Sequence, residues 1–170
     1  MRKFIVNFSL LILSISFVSG LQAQTTTVYL VRHAEKDNSD VNAKDPQLTG
    51  MGLQRASDLD KLLADKSVVA VFSTNYKRTM QTAAPLLTRI GKAVTIYEPS
   101  ETKMLANKIL TEYNGKTVLI VGHSNTLIPQ IQAFGGHLSI TEIKDADYRY
   151  LFKLTITGSD VKTEETLFGN

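Results

Sequence analysis

The chain has 170 residues, 43% of them hydrophobic, which is enough for one domain with a substantial core. Lysine and arginine number 19 against 16 acidic residues, a net charge of +3, with no basic run of the kind that tracks nucleic acid. The absence of cysteine excludes disulfides, thiolate metal sites, a cysteine nucleophile and a lipid-modified cysteine.

The first segment reads as an export signal. Met1-Arg2-Lys3 is a short positive stretch, residues 4–18 are mostly apolar, and Ala23 stands at a plausible cleavage position. The apolar run is shorter than the ~20 residues that a spanning helix needs. Residues 1–23 are therefore expected to be a signal peptide and residues 24–170 one domain. That domain is expected to be exported, to the periplasm or beyond, with no stable membrane association after cleavage. Without Arg2 and Lys3, 17 basic residues face 16 acidic ones, a net of +1, so no nucleic-acid partner is expected.

Residues 28–31, Val-Tyr-Leu-Val, favour extended backbone without polar alternation, which predicts a strand buried on both faces, as in a parallel sheet. It runs into Arg32, His33, Ala34 and Glu35. A polar loop over 36–47 follows, and Thr49 is placed to cap a helix reaching about 64 with Leu53, Ala56, Leu59 and Leu63 inward. Residues 68–72 predict a second strand. Ser73-Thr74-Asn75 predicts a cap for a helix over 76–90 that Gly91 ends, with Met80, Ala83, Ala84, Leu87 and Ile90 as its apolar face. A third strand is expected over 93–97 and a helix over 101–113, capped by Ser100, with Met104, Leu105, Ile109 and Leu110 inward.

A fourth apolar strand, 117–121, empties into Gly122-His123-Ser124-Asn125, and a short helix is expected over 126–134. Residues 148–157 and 161–167 predict two closing strands joined at Gly158-Ser159. The fold class is α/β: a three-layer sandwich with a mainly parallel central sheet, an antiparallel edge and helices on both faces. In such sheets, sites gather at the carboxyl ends of strands. Arg32, His33, Arg78 and His123 all fall there. Arginine forks match phosphate oxygens, and a neutral imidazole can attack phosphorus to form a phosphohistidine. A second histidine, if protonated, would steady the charge on the equatorial oxygens.

These residues resemble the histidine phosphatase superfamily, which includes phosphoglycerate mutase-like enzymes. The likeness runs through the strand ending in Arg32-His33-Ala34, through Leu48-Thr49 with Gly52, Arg55 and Ala56, and through Ser73, Arg78, Thr82 and Ala83. It ends in Val121-Gly122-His123-Ser124-Asn125-Thr126. The resemblance implies His33 as nucleophile and Arg32, Arg78 and His123 as the phosphate pocket, with Ser124 and Asn125 beside it and Asn38 or Ser39 as a loop contact. For the proton donor it points to the carboxylate after strand three, where Glu98 stands; Glu35 is the other candidate. Glu142, Asp145 and Asp147 read as solvated, or as a rim that repels highly anionic substrates. No histidine pairing of metal-site spacing occurs, and neither metal nor cofactor is expected. The reading is a phosphatase acting on a small phosphorylated substrate; the alternatives are a non-catalytic phosphate-binding module and a phosphomutase.

Overall fold

The computed structural model describes residues 24–169. Six strands form one sheet: β1 (Thr25–Arg32), β2 (Val68–Ser73), β3 (Thr95–Ile96), β4 (Thr117–Gly122), β5 (Tyr150–Thr157) and β6 (Asp160–Leu167). Their order is β3-β2-β4-β1-β5-β6. The first four pair in parallel, and β5 and β6 add an antiparallel hairpin on the far side of β1. Four helices connect them: α1 (Gly50–Leu62), α2 (Lys77–Ile90), α3 (Thr102–Glu112) and α4 (Ser124–Ala133).

The missing polar alternation in β1 and β4 has a direct cause. Val28, Leu30, Val118 and Ile120 pack with Leu105, Ile109, Leu127 and Ile131 of α3 and α4. Tyr29, Val31, Leu119 and Val121 pack on the other face with Leu59, Ala83 and Leu86 of α1 and α2. Successive strand side chains point to opposite faces, and here helices cover both, so each position is apolar. The three-layer α/β arrangement is the one expected from the sequence.

The topology makes the site. From β1 the chain leaves through α1 on one face; from β4 it leaves through α4 on the other. Neighbouring parallel strands whose exits diverge open a crevice at their carboxyl ends. Arg32 pairs with Gly122 in the β1–β4 register, so His33 and His123 emerge side by side.

Several local expectations change. Thr49 does cap α1, its hydroxyl accepting from the Gly52 N–H at 3.0 Å. Leu53, however, is exposed, and Gly52 and Arg55 take the buried positions beside Ala56 and Leu59. Helix α2 begins after Tyr76 without a side-chain cap from Ser73-Thr74-Asn75; the Asp45 carboxylate, from the loop after β1, accepts the Lys77 N–H at 3.0 Å instead. Met80 is exposed, while Thr79, Thr82, Ala83 and Leu86 face inward. Gly91 ends α2 at φ 63°, a conformation that favours glycine. Strand β3 shrinks to two residues, Ser100 does not cap α3, and Met104 is exposed.

Candidate active site

His33 follows β1 directly. Its backbone N–H extends the ladder to the Gly122 carbonyl at 3.0 Å, and Ala34 N–H donates to the Thr82 hydroxyl of α2 at 2.9 Å. The ring is 3% exposed. Its Nδ1 lies 2.8 Å from the Ala34 carbonyl oxygen, which can only accept, so Nδ1 carries the proton and Nε2 keeps a free lone pair. Burial lowers its pKa to about 3; the Ala34 hydrogen bond opposes this, and Arg32, Arg78 and His123 add to the lowering.

His123, the residue before α4, lies with its ring centroid 5.5 Å from that of His33, edge to face. Its Nε2 is 2.9 Å from the buried Thr74 hydroxyl, which continues to the Thr79 hydroxyl at 3.1 Å. Burial lowers its pKa to about 4, with Arg78, Arg32 and Lys36 contributing. Both imidazoles are thus neutral near pH 7 in this state.

The arginines form a matched pair. The Arg32 guanidinium lies 4.4 Å from the Tyr148 ring centroid, and that of Arg78 lies 4.4 Å from the Tyr76 ring. In each, Nε is buried without a hydrogen-bond partner among the described residues. An unpaired buried guanidinium N–H is costly unless an anion meets it. Arg32 Nη1 donates to the carbonyls of Lys144 (3.0 Å), Asp145 (2.9 Å) and Asp147 (3.3 Å), and Nη2 meets the Asp145 carboxylate at 3.2 Å. Arg78 Nη1 is 3.6 Å from Asp45.

Arg32, His33, Arg78 and His123 line one open cleft of about 450 Å³, joined by Lys36, Tyr76, Pro99, Ser124, Asn125, Thr126 and Asp145. Ser124 and Asn125 open α4, where the first N–H groups have no intrahelical partner and favour an anion. A larger groove, about 930 Å³, is walled by Leu62, Leu151, Leu167 and Phe168, and its lysines are paired with Asp58, Asp65 and Glu164. It offers no comparable nucleophile. No group of residues suited to holding a metal ion occurs among the described residues.

Four sequence candidates fall outside the cleft. Glu98 is exposed on a separate groove with Ile96, Met104 and Lys108, because β3 ends before it; its neighbour Tyr97 packs on the core and Pro99 lines the cleft. Glu35 is held by Arg55, whose Nη2 donates to it at 2.7 Å while Nη1 reaches the Phe168 carbonyl at 2.8 Å. It ties α1 and the carboxyl-terminal segment to the nucleophile loop. Asn38 is exposed, and Ser39 forms a turn on the Asp37 carboxylate at 2.9 Å. The structure adds Lys36, Tyr76 and Tyr148 to the site, and gives Thr74 and Thr126, named from the sequence only as a cap and as part of a motif, a place in it. Tyr76, two residues before Arg78, carried a local signal; Tyr148 carried none.

Residues 28–99 match the histidine phosphatase superfamily (branch 1). Among solved structures, YhfR from Bacillus stearothermophilus aligns with a TM-score of 0.66 at 18% identity, over 81% of this chain and 94% of that one. A chain from Nakamurella multipartitia, described as a putative phosphohistidine phosphatase SixA, aligns at 0.61 and 22% identity, over 86% and 96%. A mycobacterial glucosyl-3-phosphoglycerate phosphatase aligns at 0.62 and 14%, over 85% and 99%. At these identities the likeness is one of fold. No curated protein matches the chain.

Proposed function

We propose that this chain, which carries the histidine phosphatase superfamily match in residues 28–99 and the phosphoglycerate mutase-like fold, is a phosphatase working through phospho-His33. The observation that carries the reading is the His33 ring. It is buried, neutral, fixed as the Nδ1–H tautomer by the Ala34 carbonyl, and lies in a cleft with two arginines. That leaves an Nε2 lone pair where an oxyanion would sit.

In the first half-reaction the phosphoryl oxygens of a small phosphomonoester take the unpartnered Nε–H of Arg32 and Arg78 and the N–H groups that open α4. Nε2 of His33 attacks phosphorus; the P–N bond forms as the ester P–O bond breaks, and the leaving oxygen departs with a proton. In the second, water attacks phosphorus, the P–N bond breaks, and inorganic phosphate leaves. The guanidiniums meet the charge that develops on the equatorial oxygens. Phosphoramidates and phosphoanhydrides present the same phosphoryl group.

The same reading takes residues 1–23, which lie outside the described residues, as an export signal, so the substrate is met outside the cytoplasm. Among the described residues no helix is long and apolar enough to cross a membrane. A phosphate-binding module is the second reading, since the paired arginines would serve it equally. The deciding experiment is hydrolysis of p-nitrophenyl phosphate by residues 24–170 with EDTA present, beside His33→Ala. Turnover lost in the variant supports the phosphoenzyme; phosphate binding without turnover in the wild type supports the binding module.

A further inference from the structure

We propose that Asp145 is the proton donor to the leaving group, and that substrate displaces it from Arg32 on binding. The proposal rests on the phosphatase reading above. Neither Glu98 nor Glu35 reaches the cleft, yet an alkoxide leaving group needs a proton. Among the described residues in the cleft wall, Asp145 supplies the carboxylate.

Its attachment is divided in a way that suits exchange. The backbone is anchored, because Arg32 Nη1 holds the carbonyls of Lys144, Asp145 and Asp147. The side chain is 96% exposed and held by one contact of 3.2 Å to Arg32 Nη2, with the Ser124 hydroxyl at 3.5 Å. A carboxylate that rests on the guanidinium of a phosphate pocket stands where a phosphoryl oxygen would bind. An incoming phosphoryl dianion takes Nη2, and the carboxylate swings about its side-chain bonds while its main chain stays in place. It then stands free of Arg32 at the mouth of the cleft that holds the phosphoryl group.

The step balances. As Nε2 of His33 bonds to phosphorus, the ester oxygen takes the electron pair of the breaking P–O bond and the proton of Asp145, leaving an alcohol, phospho-His33 and an Asp145 carboxylate. In the second half the carboxylate takes a proton from the attacking water, the P–N bond breaks, and the carboxyl is ready again.

The test is Asp145→Asn, which keeps size but can neither ionise nor supply this proton, with Asp145→Glu as the conservative variant. Three readouts are taken: kcat/KM for p-nitrophenyl phosphate, whose leaving group departs as an anion; kcat/KM for glycerol phosphate, whose leaving group does not; and the Kd of inorganic phosphate. The expected result is a loss on glycerol phosphate about 100-fold greater than on p-nitrophenyl phosphate. Phosphate should bind several-fold tighter to the asparagine variant because its competitor is gone, and glutamate should restore part of the glycerol phosphate turnover. Equal losses on the two esters would overturn the proposal, because disturbed loop packing lowers both alike. If the wild type hydrolyses neither ester, the phosphatase reading has failed separately, and an unchanged phosphate Kd in Asp145→Asn then overturns displacement as well.

Discussion

The rings of His33 and His123 meet edge to face with centroids 5.5 Å apart, although 90 positions separate them in the chain. Both are kept neutral by burial first and by cationic neighbours second. For His33 those neighbours are Arg32, Arg78 and His123, with the Ala34 carbonyl pulling the other way; for His123 they are Arg78, Arg32 and Lys36.

An unfolded chain protonates these histidines near pH 6.5, whereas the folded protein does so only near 3 and 4. Between those limits the unfolded state binds more protons, so stability falls as pH drops from about 6.5 toward 3. Urea midpoints at pH 7, 5.5 and 4.5 should decline more steeply for the wild type than for His33→Asn/His123→Asn. In kcat/KM, which reports the free enzyme, the acid limb set by His33 should lie below pH 5.

Glu35 sits two residues from the nucleophile but faces Arg55, with side chains 15% and 6% exposed. Glu35→Gln takes the carboxylate from the buried Arg55 guanidinium and leaves it the Phe168 carbonyl, which should cost about 3 kcal/mol of stability, read from chemical denaturation. Turnover per folded molecule should stay within about twofold of wild type. A specific collapse of kcat with unchanged stability would instead return Glu35 to the chemistry.

Gly52 lies in the first turn of α1 against the nucleophile loop. A Cβ there would run into the backbone carbonyl of Glu35. Gly→Ala in a helix normally stabilises by about 1 kcal/mol. Here the sign should reverse, with Gly52→Ala losing about 1–3 kcal/mol in thermal unfolding as the loop is pushed away.

Tyr76 carries the Arg78 guanidinium on its ring at 4.4 Å and meets the His123 ring at 5.2 Å. Tyr76→Leu should weaken phosphate binding about 3- to 10-fold, in line with the loss of a cation–π contact of about 1 kcal/mol. Tyr76→Phe keeps the ring and should bind phosphate as the wild type does. Titration with inorganic phosphate checks both.

The parts of this architecture that were legible in the sequence are those where burial fixes composition. Residues 28–31 and 118–121 are apolar at each position because helices cover both faces, and the ends of those strands placed Arg32, His33 and His123 correctly. Helix faces were read less well. Leu53, Met80 and Met104 lie on solvent while Arg55, Thr79 and Thr82 are buried, because hydrogen bonds to the nucleophile loop and the β2–α2 turn claim those inward positions. The partners of Arg32 were out of reach. Asp145 is 113 residues away on a loop of ordinary polar composition, and its role follows only from where α4 delivers the chain.

The pairing of Arg32 with Gly122 across β1 and β4 carries one more implication. A slip of a single residue would slide one histidine past the other by about 3.3 Å and turn its side chain to the opposite face of the sheet. The spacing of the two imidazoles is therefore owned by the strand ladder rather than by the loops that surround them. Lys36, Asp45 and the stretch from Lys144 to Tyr148 support the arginines and the rings, whereas the exposed residues 37–44 between them are the natural place to graft a new preference for the alcohol half of a substrate.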